Sequence, residues 1–424
     1  MPESADIAII GAGAAGLMSA ISAARENPGL KIFLLDTRQK IGAKILISGG
    51  TRCNVTNVRV TPKDYQGGPK HFVKHVLEAF TPDETRDFFE KMRVSLVLEP
   101  TGKYFPTTHS GKTVLDAFLK EIEKNKVQLK TGVRVSEVQK AGDVFHLKGT
   151  PAGRSEASFA LTAKRVILAT GGLSYPETGS DGTGLEIAKN LGHSIVKTTP
   201  ALTPLTTDDE DWKSLTGITL EASLSFFRNE KKEMAYTSSF LFTHFGFSGP
   251  VALDVSRFVA GADKKDSIKL LANFLPSESE ESFIKDLERS RLSNPGRQVK
   301  NYLTEKYGLP SRFVEVFFKK IGADERSTLK NCSKAVRGQL AHKLLNCPLE
   351  VTGVVGYKKA EVTAGGVDLK EVKAATMESK IMPGLYFTGE ILDMDGRIGG
   401  FNFQWAWSTG TIAGRSAVKS LSAS

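Results

Sequence analysis

The sequence predicts an α/β fold: a Rossmann-like domain interrupted by a β-barrel domain that itself carries a helical insertion. Three observations predict it. A glycine-rich turn, Gly11-Ala12-Gly13-Ala14-Ala15-Gly16, stands between an apolar strand and a helix. Apolar runs of strand length return at residues 165–169 and 384–389, each leading into glycine. Between about residues 194 and 363 the pattern changes to short alternating pieces, with a Lys/Glu/Arg-rich stretch in the middle. The expected boundaries are 1–193 and 364–424 for the nucleotide-binding domain, 194–275 and 348–363 for the barrel, and 276–347 for the insertion.

Residues 5–10 (ADIAII) form the run expected of a buried parallel strand and deliver the chain into the glycine turn. Residues 17–25 read as a helix, and 31–36 (KIFLLD) as a second strand ending in Asp36, 20 positions after Gly16. Each residue has a physical task. Gly11 makes the tight turn, Gly13 lets the backbone approach a pyrophosphate, and Gly16 allows close packing of helix on sheet, with Ala14 and Ala15 between them. Phosphates are expected at the helix N-terminus, where unpaired N–H groups and the dipole favour negative charge. Asp36 is expected to accept hydrogen bonds from a ribose diol. Glycine-rich turns join many strands to helices without binding anything. Strand, turn, helix, strand and acid in succession point to a dinucleotide.

The next stretch separates FAD from NAD. Gly42-Ala43-Lys44, then Ser48-Gly49-Gly50-Thr51-Arg52-Cys53-Asn54, extend the glycine-rich, donor-rich character well beyond the first phosphate loop. Serine, glycine backbone, Arg52 and Asn54 supply donors suited to a pyrophosphate and a polyol, which FAD offers beyond NAD. Lys44 fits a cofactor contact and an ordinary solvated loop equally well. Cys53 follows Arg52, whose charge can lower a thiol pKa, but with no second cysteine nearby it reads as a small buried residue.

Further along, residues 112–126 carry helical periodicity, followed by strand-like pieces at 127–129, 133–138 and 144–147. Residues 165–169 (RVILA) run into Thr170-Gly171-Gly172, as where a chain re-enters a sheet beneath an FAD cofactor. Asp181-Gly182-Thr183-Gly184 reads as a capped helix start rather than a second phosphate loop. In the middle region, 220–228, 233–243 and 267–274 are strand-like, 280–289, 311–321 and 334–345 helical, and 349–357 and 360–362 strand-like again.

Near the end, 384–389 (GLYFTG) is one more apolar strand, followed by Glu390 and the pair Gly399-Gly400, with a helix expected over 404–418. Glycines there let backbone N–H groups at a helix start approach a flavin, because no Cβ intervenes. Trp405 and Trp407 fit core packing better than a pocket wall, and helical spacing puts them on different faces.

The bulk properties bound the function. A chain of 424 residues exceeds what one core organises, and 40% apolar residues suffice to build two or three. Apolar stretches are too short to cross a bilayer and no signal segment opens the chain, so a cytoplasmic protein is expected. Cys53, Cys332 and Cys347 form neither a CxxC pair nor a metal-ligand cluster. The net charge of +10 favours anionic partners without choosing among them.

The ordered set GAGAAG, KILISGGTRCNVTN, GKYFPTTHSGKTV, ATGGLSYPETGSDGTG, LFTHFGFSGP and GLYFTGEILDMDGRIGGFNFQWA resembles the BaiN-like family of NAD(P)/FAD-dependent oxidoreductases over nearly the whole chain. The resemblance implies an FAD domain of the glutathione-reductase type. The family includes reductases of unsaturated bile-acid intermediates and aminoacetone oxidases. Carried over by residue, it implies that Gly11, Gly13, Ala15 and Gly16 meet the pyrophosphate and Asp36 the adenosine ribose. Lys44, Gly50, Arg52 and Asn54 would wrap the cofactor, and Val135 would offer its backbone to adenine. Gly171, Gly389, Glu390, Gly400, Phe401 and Asn402 would line the flavin side. The family loop usually reads SGGGRCN, and Thr51 stands here in place of its third glycine.

Three functions compete. The leading one passes hydride from NAD(P)H through FAD to a small unsaturated or carbonyl substrate. With no second complete GxGxxG unit, the nicotinamide contact would be transient. The second is a flavin oxidase of a small amine, reoxidised by oxygen. The third is an RNA-associated flavoprotein, motivated by the basic balance and by residues 319–343, which solvated helix faces explain more simply. His244 and His109 are the candidate acid–base groups, and for each a structural contact is the simpler reading; Tyr104 beside Phe105 reads first as packing. Oligomeric state is left open by the sequence.

Overall fold

Consecutive buried residues from Ile7 to Ile10 put the first strand, Glu3–Ile10, inside a sheet covered on both faces. In the computed structural model, which describes residues 3–151 and 158–422, this strand runs parallel to Ile32–Asp36 on one side and to Phe159–Leu168 on the other. Gln128–Thr131 extends the sheet beyond Ile32–Asp36, also in parallel. Phe159–Leu168 serves two further neighbours. Its first half pairs antiparallel with Val144–Pro151, and its last three residues pair parallel with Leu385–Phe387. The register sets Ile10 opposite both Leu35 and Leu168, and Leu168 opposite Phe387, so four strands end level.

Packing then fixes the helices. The first helix, Ala14–Glu26, is buried from Ala15 to Ala24 because the closing helix, Phe401–Ser422, lies against it. Gly410 and Gly414, one turn apart, make that approach possible. A Cβ on Gly410 would sit 2.7 Å from the Ala15 carbonyl oxygen, and one on Gly414 would sit 2.4 Å from that of Ser19. The closing helix starts at Phe401, three residues before the expected point. Its buried Gln404 uses its whole amide: Oε1 accepts from Thr56 (2.6 Å) and Thr85 (3.0 Å), while Nε2 donates to the Phe80 carbonyl (3.0 Å) and to Ser408 (3.1 Å). Trp405 and Trp407 are both buried, on different faces as expected. Trp405 packs on Tyr65 and Phe72 and donates to the Gly389 carbonyl, whereas Trp407 packs on Phe89, Phe118 and Phe403 and donates to that of Val55.

The chain divides into two compact units, residues 1–199 with 362–424 and residues 200–361. The second unit is built on a seven-stranded antiparallel sheet in the order Cys347–Leu349, Ile268–Asn273, Thr219–Arg228, Lys231–Thr243, Gly246–Ser248, Leu205–Thr206, Gly353–Val354. Among the described residues no ladder joins its two ends, so the sheet is an open array rather than a closed barrel. The edge strands are nonetheless neighbours in the chain. The single strand expected over 349–357 is thus two short ones, interrupted at Glu350 to Thr352. Four helices, Glu280–Ser293, Val299–Tyr307, Ser311–Ile321 and Lys334–Leu345, stand between Ile268–Asn273 and Cys347–Leu349. Their core meets the sheet at Trp212, whose ring stacks with Phe242 and Phe313. No helix among the described residues is long and apolar enough to cross a membrane.

In an ordinary helix interior Gly→Ala stabilises by about 1 kcal/mol. At residue 414 the sign reverses, because the methyl group meets the Ser19 carbonyl. Gly414→Ala is expected to lose about 1–3 kcal/mol, the usual cost of overpacking, read as a lower urea midpoint at unchanged m-value.

Candidate functional site

Level strand ends bring the glycine turns of distant segments to one edge. Backbone bonds continue the ladder into those turns: Gly11 N–H donates to Leu35 (2.8 Å), Ala169 N–H to Ile10 (2.8 Å) and Thr388 N–H to Leu168 (3.0 Å). Gly11 and Gly16 have no room for side chains. A Cβ on Gly11 would lie 2.4 Å from the Ala169 oxygen, and one on Gly16 would lie 1.8 Å from that of Gly11. Gly13 differs, since a Cβ there would meet no atom within 4 Å. The helix that follows has no side-chain cap and no acid in its first turn. Its positive end therefore carries no side-chain counter-charge of its own.

Asp36 is held beside that opening. One carboxylate oxygen accepts from the Ala12 N–H (2.7 Å), the other from the Arg38 N–H (2.8 Å). Burial raises its pKa, and the two backbone bonds oppose the rise. Thr170 Oγ1 is a buried hydroxyl with no hydrogen-bond partner, and Gly171 follows it in the left-handed region, with φ of 73°. A glycine face with room for a side chain, an uncapped helix start and a fixed acid together fit a dinucleotide, whereas the Thr170 hydroxyl is packed against Gly184, where a Cβ would fall 1.8 Å from it.

The loop over residues 48–54 is held from several sides. Ser48 Oγ donates to the Ile45 carbonyl, and Gly49, Gly50, Thr51 and Cys53 all have positive φ. Arg52 pairs with Glu99 (2.6 Å) and stacks on the Phe105 ring at 4.0 Å, so its charge shapes the loop. Burial pushes the Cys53 thiol up to about 12, which leaves it a neutral packing group. Asn54, with its amide turned to suit both neighbours, donates to the Thr56 carbonyl (3.0 Å) and accepts from the Gly400 N–H (2.9 Å). That contact makes Gly400 obligatory, because a Cβ would fall 2.7 Å from the Thr56 carbonyl. Asn57 holds the Gly399 carbonyl, Tyr65 that of Phe401, and Asn402 uses its amide on both backbone groups of Gly396.

Lys44 and Glu390 meet at 2.8 Å. Two residues not singled out in the sequence join them: Ser174 bonds both, and the Thr363 N–H donates to Glu390 (2.9 Å). Val135 stands on the strand Val133–Ala141, which among the described residues is paired on one side only, beside a bulge. Asp181 accepts from the Thr183 N–H and hydroxyl and pairs with Arg134, which makes residues 181–184 a capped helix start. His109 and His244 are both exposed, His244 on a turn of the second unit, and Tyr104 carries the Arg86 guanidinium over its ring.

The fully shielded histidine is one the sequence did not single out. The His193 ring packs on Phe387 and bonds Glu371 through Nδ1 (3.1 Å) and Ser379 through Nε2 (3.0 Å). Ser379 Oγ already accepts from the Ile381 and Met382 N–H groups, so its own proton goes to His193. This forces the neutral tautomer with the proton on Nδ1.

A family model described as HI0933-like protein Rossmann domain matches residues 5–416. The chain is 32% identical over 416 residues to a 3-dehydro-bile acid delta(4,6)-reductase of Clostridium scindens, covering 97% of this chain and 99% of that one. It is 33% identical over 412 residues to a ribosomal RNA dihydrouridine synthase of Escherichia coli, covering 96% of each. A solved Escherichia coli quinol fumarate reductase matches at TM-score 0.52 and 17% identity, over 99% of this chain and 71% of that one, a likeness of fold alone.

Gly13→Val places a branched side chain in space that no protein atom occupies. The variant is expected to fold with unchanged thermal stability as apoprotein yet to take up no dinucleotide, measured by flavin absorbance after reconstitution. A second expectation concerns pH. Burial lowers the His193 pKa below its ordinary value of about 6.5, so the unfolded chain binds the extra proton first and stability falls as pH drops below that value. Burial alone would raise Glu371, but bonds from Ser194 and the His193 contact hold it low, and its contribution is lost at still lower pH. Urea midpoints at pH 8 and 5.5 should differ less in His193→Gln than in the native chain.

Proposed function

The chain belongs to the HI0933-like Rossmann-domain family, a family of flavoprotein oxidoreductases. From that premise we propose that it holds FAD and reduces a carbon–carbon double bond conjugated to a carbonyl, with NAD(P)H as transient hydride source. The observation that carries the reading is the room for a side chain at Gly13, at the uncapped start of the first helix and beside the anchored Asp36. FAD, when bound, supplies a two-electron hydride carrier.

The chain's own residues bind and orient it. Gly11, Gly13, Ala14, Ala15 and Gly16 receive the diphosphate, Asp36 the ribose, and the free edge at Val135 the adenine. Lys44, Ser48, Gly49, Gly50, Arg52, Cys53 and Asn54 form the wrapping loop, with Thr170, Gly171, Gly389 and Glu390 along the middle of the cofactor. Gly399, Gly400, Phe401 and Asn402 form a rigid turn at the positive end of the closing helix, suited to an electron-rich flavin edge.

The names of the two relatives describe bonds of one kind. A 3-dehydro-bile acid with 4,6 unsaturation carries its double bonds conjugated to the C3 carbonyl, and the 5,6 bond of uridine is conjugated to the C4 carbonyl. In either, hydride adds at a carbon remote from the carbonyl and a solvent proton completes the reduced bond, while NAD(P)H becomes NAD(P)+. A small unsaturated carbonyl compound is the leading substrate. A uracil base in RNA is the second reading, favoured by the synthase relative and by charge: residues 37–76 hold eight lysines and arginines against Asp64 alone. Ion pairs take up part of the charge in both basic stretches: Lys44, Arg52 and Lys74 pair with Glu390, Glu99 and Glu78, and within 319–343 Lys319 pairs with Asp211, Lys320 with Asp209 and Arg337 with Glu288.

The test is anaerobic mixing of the purified flavoprotein with NADH or NADPH, then with a steroid enone or a uridine-containing RNA. Bleaching of the flavin band by a nicotinamide, with recovery faster on one of these substrates than on oxygen, is expected. Bleaching by a small amine only, with fast recovery in oxygen, would make it an oxidase.

A further inference from the structure

The group around Glu390 is larger than any motif that contributes to it. Its members follow the strand Leu385–Phe387 (Glu390), lie in the short helix Ala43–Ile47 (Lys44), follow the Gly171-Gly172 turn (Ser174), and stand in the strand Val362–Val367 (Thr363). Glu390 Oε1 accepts from the Ser174 hydroxyl at 2.5 Å and from the Thr363 N–H, and Oε2 accepts from Lys44 Nζ. Lys44 Nζ also donates to Ser174 Oγ at 2.7 Å. Thr363 Oγ1 accepts from the Leu173 and Ser174 N–H groups at 2.8 and 3.0 Å. A Cβ on Gly172 would fall 2.4 Å from that oxygen, so the turn is fitted to it.

This arrangement separates the members by task. Ser174 and Thr363 are fully buried, while the side chains of Lys44 and Glu390 keep 26% and 18% of their exposure. A solvated ion pair alone would be mobile and worth little. Here a hydroxyl and a backbone N–H hold the carboxylate from behind, and the same hydroxyl sets the spacing of the two charges. After these bonds the ammonium keeps one N–H and Oε2 keeps acceptor capacity. A fixed cationic donor beside a fixed anionic acceptor suits a ligand that carries a phosphate oxygen and hydroxyl groups in succession.

Resting on the flavin reading above, we infer that Ser174 and Thr363 are positioning residues for the polyol–phosphate stretch of the cofactor and act through Glu390 and Lys44. A hydrogen bond to a charged group is worth enough that its loss weakens binding about tenfold or more. The experiment titrates apoprotein with FAD by flavin fluorescence, using Ser174→Ala, Glu390→Gln and the double variant, with thermal unfolding of each apoprotein alongside. If Ser174 acts through Glu390, each single variant binds FAD about tenfold more weakly and the double variant no more weakly than Glu390→Gln alone. Additive losses, or unchanged affinity in Ser174→Ala, would overturn the inference. Should Ser174→Ala fail to fold, Thr363→Val removes one oxygen at constant volume and is expected to weaken FAD binding, with Thr363→Ser restoring it; unchanged affinity in Thr363→Val would equally overturn it. A native apoprotein that takes up no FAD would instead remove the flavin reading itself, and this inference with it.

Discussion

Ile10, Leu35, Leu168 and Phe387 end their strands level with one another, and the rest of the molecule depends on that register. Parallel strands leave their carboxyl ends facing one way, so turns from residues 11, 36, 169 and 388 become neighbours across hundreds of positions. Slipping one strand by a residue would reverse its side chains and move its turn out of line. The bonds from Gly11, Ala169 and Thr388 into neighbouring strands carry the ladder past the last paired residues and set the turns themselves. The meeting of these turns is therefore a property of the sheet's register, which no single loop could supply.

Closing that edge requires a helix from the end of the chain to reach a helix from its beginning. Apolar contact would serve, but not at this distance: Gly410 and Gly414 let the backbones approach, and Ser19 fits between them with its hydroxyl bonded to the Ala15 carbonyl. Six residues before Gly410, Gln404 satisfies Thr56, Thr85 and the Phe80 carbonyl together. A fully satisfied buried amide specifies one docking position, where an apolar side chain of similar volume would tolerate several. Specificity of placement is what the Gly399-Gly400 turn needs, since it lies at the same helix start.

What the sequence makes legible is what is local. The first strand, turn, helix and acid could be read because each residue's task is set by neighbours within a few positions, and residues 220–228 and 311–321 for the same reason. The helices Lys70–Ala79 and Pro82–Lys91 carry a weaker local signal, and the second is marked mainly at its start, where Thr81 and Glu84 form a capping box with Pro82 in the first turn. Ser174 and Thr363 are of another kind. They lie 189 positions apart and gain meaning only from a bond between them, so no window of sequence contains the signal. His193 is hidden likewise, because Glu371 and Ser379 reach it from a segment far downstream. Arg52 and Asn402 are legible as polar residues, but not that their side chains hold backbone and neighbouring side chains.

Thr51 shows how far such a loop is fixed by its surroundings. It has φ of 69°, and a side chain in the left-handed region costs about 1–2 kcal/mol. Part of that cost is offset, since threonine restricts the unfolded chain more than glycine does, by about 0.4–1 kcal/mol. The conformation persists because the loop is over-determined. The Thr51 carbonyl accepts from the Gly111 N–H, the Cys53 N–H donates back to Ser48, and Arg52 is clamped by Glu99 and Phe105. Strain held in this way by surrounding bonds marks a backbone path that the site requires rather than one that the residue prefers.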